Sequence, residues 1–195
     1  MKTNFYVFRH GETDYNQKDL CQGCRCDRLL TDKGIEQAKK LAEEMKKKRL
    51  DCIYSSPLLR AVQTANIVSQ KNNNIPIIIK QDLKEGDFGS AEGVPHGELQ
   101  HLFPGLWPKI LRPTRTNWDI CFPEGESKHQ MFERSFAVLQ RMAEDNIGKN
   151  IGVSVHAGII SALACGMELW DVSYEHCSVL HLSYNEESKH FCQES

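Results

Sequence analysis

The sequence has no long apolar run. No stretch approaches the ~18 apolar residues that a membrane-spanning helix needs, and the first dozen residues lack the basic segment and long apolar segment of a signal peptide. From these two absences we expect a cytoplasmic protein that has no membrane partner.

The sequence also has little net charge. Its 195 residues include 26 acidic and 24 basic side chains, which gives a formal net charge of −2 at pH 7. A chain with this balance has no overall field that attracts nucleic acid or an anionic surface. We therefore expect no nucleic-acid partner and conclude that any attraction for anions must be local. Nothing in the sequence indicates an oligomeric state.

Eight cysteines are present, and we expect them to be reduced thiols. Without an export signal, the compartment keeps cysteines reduced. Cys21, Cys24 and Cys26 are closely spaced, but a structural zinc site usually has a second pair of ligands at a recognisable spacing, and none is found. We predict no metal site, and a metal or redox role for these three cysteines is the alternative.

Strand and helix patterns alternate along the chain. Thr31, Ser56 and Ser127 are the predicted helix N-caps, and Pro57 is placed at a first helical position. The alternation predicts a three-layer α/β/α fold with a mainly parallel central sheet, closed by a hairpin. The predicted strands are 4–8, 50–55, 75–80, 150–156, 178–185 and 190–193, and the predicted helices are 31–48, 56–70, 127–145 and 157–167.

One segment departs from this alternation. Residues 92–126 contain five of the seven prolines together with Trp107 and Trp118, and so many prolines exclude one long helix. We predict a single domain over residues 1–195, with a cap-like insertion of short helices and loops at about 93–126 that covers the active site.

Charged and imidazole side chains follow several of the predicted strands. Arg9 and His10 end the first strand, His156 ends the strand at 150–156, and Arg60 lies in a helix that follows a strand. Ligands of parallel sheets bind outside the carboxyl ends of the strands. Helix starts at 57 and 157 would point free N–H groups at the same place. Because guanidinium groups match phosphate oxygens in pairs, we predict a phosphate site there.

Each of these residues also has an ordinary explanation. A histidine at a strand end is commonly a structural hydrogen-bonding residue, and an arginine in a first helical turn is commonly a surface charge, although the helix dipole disfavours it without an anion. The segment around Glu85 also reads as a solvated turn. The prediction therefore depends on several such residues occurring together.

Six motifs, in this order along the chain, make the combination of these residues specific. They resemble those of the histidine phosphatase superfamily, which includes the cofactor-dependent phosphoglycerate mutases, and they cover nearly the whole chain. The resemblance implies a phosphoglycerate mutase-like fold. The motifs are FRHGET, QGCRCDRLLTDKGIEQA, SSPLLRAVQTA, LKEGDFGSAEG, PEGES and VSVHAG.

The resemblance implies a catalytic role for five residues. His10 is the expected nucleophile, which forms a phosphohistidine. Arg9, Arg60 and His156 are expected to bind the non-bridging phosphate oxygens, and Glu85 is expected to protonate the leaving oxygen and then to activate water. No metal is implied, because arginine and imidazolium neutralise the phosphate.

The substrate-binding residues are predicted less directly. Arg112 and Arg115 are candidates for contact with a second anionic group of the substrate, and a solvated basic stretch is the alternative. The full predicted set is Asn16, Gly23, Cys24, Ala157, Arg112 and Arg115.

The same resemblance leaves three functions to compare. The middle insertion and the segment after the last strand are both short, which favours a metal-independent phosphomonoester hydrolase without a cofactor, acting on a small phosphorylated metabolite. The first alternative is a cofactor-dependent phosphoglycerate mutase, which would need 2,3-bisphosphoglycerate. The second is a non-catalytic protein that binds phosphate ligands or partners.

Overall fold

The computed structural model describes residues 1–194, which alternate between strands and helices. The strands are β1 (Lys2–Arg9), β2 (Cys52–Ser55), β3 (Ile77–Ile79), β4 (Asn150–Val155), β5 (Val179–Asn185) and β6 (His190–Gln193). The helices are α1 (Asp14–Gln17), α2 (Asp32–Lys48), α3 (Leu59–Lys71), α4 (His96–Leu102), α5 (Trp107–Leu111), α6 (Lys128–Asp145) and α7 (Ala157–Gly166).

The six strands form one sheet in the order β3-β2-β4-β1-β5-β6. The pairs β2–β3, β2–β4 and β1–β4 are parallel, whereas β1–β5 and β5–β6 are antiparallel. The predicted α/β fold with its mainly parallel sheet and closing hairpin is therefore confirmed.

Two apolar cores cover the two faces of the sheet. Successive side chains of a strand point to opposite faces, so Phe5 and Val7 of β1 pack in the core that α6 and α7 cover. Tyr6 and Phe8 pack in the other core, beneath α2 and α3. This alternation along β1 produces the three layers.

Two of the three predicted N-caps are present. The Oγ1 atom of Thr31 accepts a hydrogen bond from the backbone N–H of Gly34 (3.0 Å) at the start of α2. Ser127 and Gln130 form a capping box at the start of α6. The short helix α1, which was not predicted, begins with a similar box at Thr13.

The start of α3 differs from the prediction. The helix begins at Leu59, so Ser56 is not its N-cap and Pro57 is not its first residue. The Oγ atom of Ser56 lies instead 2.7 Å from Nε2 of His156. The carboxylate of Asp27 accepts the hydrogen bond from the N–H of Leu59 at 2.9 Å. A cap supplied by a loop about thirty residues away cannot be recognised from the local pattern.

The proline-rich segment contains the two short helices α4 and α5. Leu99, Ile110 and Phe122 from this segment pack with Cys21 and Ala91 in a third apolar cluster. The insertion is thereby anchored to the body beside the carboxyl end of the sheet. Across residues 1–194, the helices are all too short or too polar to cross a membrane.

Candidate active site

The two histidines follow neighbouring parallel strands. Arg9 at the end of β1 pairs with Val155 at the end of β4, so His10 and His156 emerge side by side. Their ring centroids lie 5.2 Å apart. These strand ends converge at one edge of the sheet, as the pattern of strands predicts, and they form the centre of the site.

His10 is buried and its ring orientation is set by the backbone. Its Nδ1 atom lies 2.7 Å from the carbonyl oxygen of Gly11. Because a carbonyl only accepts, Nδ1 carries the proton and Nε2 keeps its lone pair. Arg60 donates its Nε hydrogen to that Nε2 at 3.2 Å. Burial, together with Arg60 and Arg9, lowers the pKa of His10 well below 6.5.

The two arginines are held by backbone carbonyls. Nη2 and Nη1 of the fully buried Arg60 donate to the carbonyls of Gly23 (3.1 Å) and Cys26 (3.3 Å). Arg9 donates from Nη1 to the carbonyl of Tyr174 at 2.6 Å. The buried Nε of Arg9 has no partner among the described residues, so this donor is available to a ligand.

His156 resembles His10 in being buried and in having a lowered pKa. Its Nε2 contacts Ser56, while its buried Nδ1 lacks a partner among residues 1–194. Burial lowers the pKa of His156 well below 6.5, and Arg60, His10 and Arg9 lower it further. Two neutral imidazoles beside two guanidiniums form a positive cavity suited to a phosphate.

Glu85 is positioned by the start of α7. One carboxylate oxygen accepts from the N–H of Gly86 (2.9 Å) and the other from the N–H of Gly158 (3.0 Å). A side chain at Gly158 has no room, because its Cβ would overlap the Glu85 carboxylate and lie 2.8 Å from Cε of Met131. The carboxylate is thus held against the helix that follows His156.

We expect Gly158→Ala to lower kcat about 10- to 100-fold, because the new methyl group displaces Glu85 and small misplacements of a catalytic group have effects of this size. Steady-state phosphate release measures it. Gly97→Ala in α4 is the matched control, since a Cβ there meets no heavy atom within 4 Å. A Gly158→Ala variant with wild-type kcat would contradict this placement of Glu85.

These groups open into a pocket of about 310 Å³ beneath the cap. Five predicted residues line it: Arg9, His10, Asn16, Glu85 and Ala157. Arg60 and His156 are not among the lining residues, but both lie beside His10. Arg60 donates a hydrogen bond to it, and the ring of His156 lies 5.2 Å from its ring. The cap supplies the opposite wall through His96, Trp107, Ile110, Leu111 and Phe122.

Four predicted substrate-binding residues are not brought to the pocket lining. Gly23 uses its carbonyl to hold Arg60, and Cys24 donates its backbone N–H to the carbonyl of Gly86 at 3.0 Å. Arg115 donates to the carbonyl of Gly166 and stacks over the ring of Trp118 at 4.7 Å, whereas Arg112 is exposed.

Arg112 and Arg115 do not reach the pocket because α5 ends just before them. Ile110 and Leu111 of this helix line the pocket, and the chain then turns toward the end of α7, where Arg115 binds. For Arg112 and Arg115 the structure favours the alternative of a solvated basic stretch.

Lys128, Ser161 and Tyr174 line the pocket and were not predicted. Lys128 carried the only usable signal, since a lysine in the first turn of a helix is disfavoured by the dipole. His176, whose ring centroid lies 6.1 Å from that of His10, is also nearby. Burial and Arg9 lower the pKa of His176 to about 4.

One group of side chains has the spacing of a metal site. Ligand atoms of Cys24, Asp87 and Glu92 lie within 4.8 Å of one another. The Glu92 carboxylate, however, accepts backbone N–H bonds from Arg25 (3.0 Å) and Cys26 (3.1 Å), and Asp87 pairs with the Arg25 guanidinium at 2.8 Å. The protein itself thus satisfies these carboxylates. All eight cysteines are free thiols.

The lowered pKa values of His10 and His156 predict a pH dependence of stability. Above about pH 6.5 both states leave these rings neutral, whereas below it only the unfolded chain takes up the protons. As the pH falls through 6.5 and below, the free energy of unfolding should fall by up to about 1.4 kcal/mol per pH unit for each ring. Urea titrations at pH 7.5, 6.5 and 5.5 measure it.

Two variants make this test specific. His10→Ala should give a shallower slope below pH 6.5, and His190→Ala, at an exposed position, should keep the wild-type slope. A free energy of unfolding that stays constant from pH 7.5 to 5.5 would contradict neutral buried imidazoles.

Comparison with known proteins identifies the family. The chain is 34% identical over 158 residues to phosphoglycerate mutase-like protein 4 of Arabidopsis thaliana, covering 80% of this chain and 67% of that one. It is 31% identical over 163 residues to a metal-independent phosphoserine phosphatase of the same plant, covering 83% and 67%. Relatives named as 2,3-bisphosphoglycerate-dependent mutases match as well.

Solved structures agree with the sequence relatives. A phosphoserine phosphatase mutant from Entamoeba histolytica, in complex with phosphoserine, superposes with a TM-score of 0.83 at 26% identity, covering 99% of this chain and 95% of that one. The family model described as histidine phosphatase superfamily, branch 1, matches residues 5–193. The recognition made from the motifs is confirmed, and the chain belongs to the histidine phosphatase superfamily.

Proposed function

We propose that this protein hydrolyses small phosphomonoesters through a phosphohistidine at His10. The observation that carries the proposal is the state of His10, a residue that lines the pocket: its protonated Nδ1 donates to the carbonyl of Gly11, while Nε2 keeps the lone pair that accepts a hydrogen bond from Arg60. The prediction of a phosphatase enzyme is confirmed by the family match and by relatives named as phosphatases.

In the first step the phosphate replaces His10 as the partner of Arg60. The free Nε–H of Arg9 and a ring nitrogen of His156 supply further donors to the non-bridging oxygens. The Nε2 lone pair forms the N–P bond while the P–O ester bond breaks, and protonated Glu85 gives its proton to the leaving oxygen.

In the second step water replaces the alcohol. The Glu85 carboxylate takes a proton from the water, the water oxygen bonds to phosphorus, and the N–P bond breaks. Inorganic phosphate leaves, and Nε2 regains its lone pair. Both steps use charges that the chain itself provides, so we propose that neither a metal nor an organic cofactor takes part.

Release of phosphate from p-nitrophenyl phosphate in the presence of EDTA tests this function. We expect unchanged turnover after chelation. Isomerisation of 3-phosphoglycerate that depends on 2,3-bisphosphoglycerate, with little net phosphate release, would favour the mutase alternative that mutase-named relatives raise. A folded protein that turns over no ester of a broad panel would favour the binding alternative.

A further inference from the structure

Lys128 is a buried cation that the proposed chemistry does not use. It is the first residue of α6, it lines the pocket, and only 7% of it is exposed. Lysine is rarely buried to this extent without a partner. Its placement therefore needs a reason beyond the helix in which it lies.

The protein satisfies this ammonium group poorly. Nζ has three donors, and its one hydrogen bond goes to the carbonyl of Gly158 at a long 3.4 Å. The ring of Phe88 lies 5.7 Å away. None of the ion pairs among residues 1–194 includes Lys128.

Neither the strongest acidic neighbour nor the helix dipole explains the position. Burial lowers the pKa of Lys128, and Glu85 is the acidic group that opposes this most strongly, but the Glu85 oxygens already accept N–H bonds from Gly86 and Gly158. The amino end of α6 is the positive end of the helix dipole, which disfavours a lysine there. The ammonium group is thus poorly placed for stability and well placed for an anion in the pocket.

The surrounding wall indicates which anion fits. Among the described lining residues, only two carry a basic side chain of the arginine or lysine type: Arg9 and Lys128. Arg9 is proposed to bind the transferred phosphate. The rest of the wall near Lys128 and the cap is largely apolar, with Phe88, Trp107 and Phe122. One ammonium group balances one negative charge, whereas a second phosphate brings about two.

We propose that Lys128 binds a carboxylate carried by the alcohol portion of the substrate, so that the preferred substrates are phosphate esters of hydroxy acids. This assignment rests on the proposed phosphatase function. It makes Lys128 a specificity-determining residue, because a neutral alcohol of the same size leaves its charge unbalanced in the pocket.

A matched pair of substrates tests the assignment. 3-Phosphoglycerate and glycerol 3-phosphate share a three-carbon skeleton and differ by a carboxylate in place of a hydroxymethyl group. In Lys128→Met the ratio of their kcat/KM values should fall about tenfold or more, which is the effect of losing one charged hydrogen bond. Lys128→Arg should restore part of the ratio, and Lys40→Met, on the exposed face of α2, should keep it.

Three outcomes would overturn the assignment. One is an unchanged ratio, and another is an equal loss for both substrates, which would indicate a structural role. The third is a loss confined to a bisphosphate, measured as fructose 1,6-bisphosphate against fructose 6-phosphate, which would replace the carboxylate with a second phosphate.

A binding measurement separates this inference from the proposed hydrolysis. In a His10→Ala background, titration calorimetry gives the Kd ratio of 3-phosphoglycerate to glycerol 3-phosphate without turnover. Lys128→Met should shift this ratio about tenfold in favour of glycerol 3-phosphate. If it does so in a protein whose wild type hydrolyses nothing, the hydrolysis fails and the subsite stands. If the Kd ratio does not shift and the enzyme is active, the hydrolysis stands and the carboxylate subsite fails.

Discussion

The His10→Ala variant is expected to release phosphate at least about 10⁴-fold more slowly than the wild type, since removal of a nucleophile has effects of this order or larger. The structure offers no equivalent group among the pocket-lining residues: His10 lines the pocket and its unprotonated Nε2 has Arg60 as its partner, whereas His156 does not line the pocket and its Nε2 is bound to Ser56. Steady-state phosphate release from p-nitrophenyl phosphate and from an alkyl ester measures the loss.

Two comparisons make the result specific to the nucleophile. His190→Ala removes an exposed imidazole from β6 and should retain wild-type turnover. His10→Ala should also fail to form an acid-labile phosphoenzyme when it is quenched after incubation with radiolabelled ester. A His10→Ala variant that keeps more than about 1% of wild-type activity would remove His10 from the nucleophile role.

Glu85→Gln has the second large expected effect, and that effect depends on the leaving group. With an alkyl phosphate, the alkoxide needs a proton, and kcat should fall about 10²- to 10⁴-fold. With p-nitrophenyl phosphate, the leaving group departs without help, so transfer to His10 remains fast. Water attack then becomes limiting, because the amide cannot accept the proton from water.

Rapid mixing distinguishes these two steps. We expect Glu85→Gln to give a burst of p-nitrophenolate of about one equivalent per protein, followed by slow turnover, together with accumulated phosphohistidine. Glu98→Gln, at an exposed position in α4, is the control and should behave as the wild type. If Glu85→Gln loses the same factor with both esters and shows no burst, Glu85 is not the proton carrier.

The centre of the site was predictable because topology determines it. Once Arg9, His10 and His156 are assigned to the ends of neighbouring parallel strands, they must meet at one edge of the sheet. The motif around Glu85 supplied the acid only through its resemblance to the family. No strand or helix pattern says that this loop returns to the N–H of Gly158.

The parts that sequence reasoning missed depend on contacts between distant segments. Asp27 caps α3 from a loop, so Ser56 is free to contact His156. The path of the insertion after α5 takes Arg115 to the end of α7 and away from the pocket. Sequence spacing within a proline-rich insertion carries no information about that path.

The two roles of Arg60 have a consequence for the evolutionary history of this protein. The same guanidinium that donates to His10 also ties the loop at 23–27 to the body through two carbonyls and a 3.5 Å contact with Asp27. A related protein that no longer turns over substrate can lose the histidine at position 10, whereas loss of the arginine at position 60 would remove the contacts that hold this loop. We therefore expect inactive members of this lineage to keep an arginine where the histidine has already drifted.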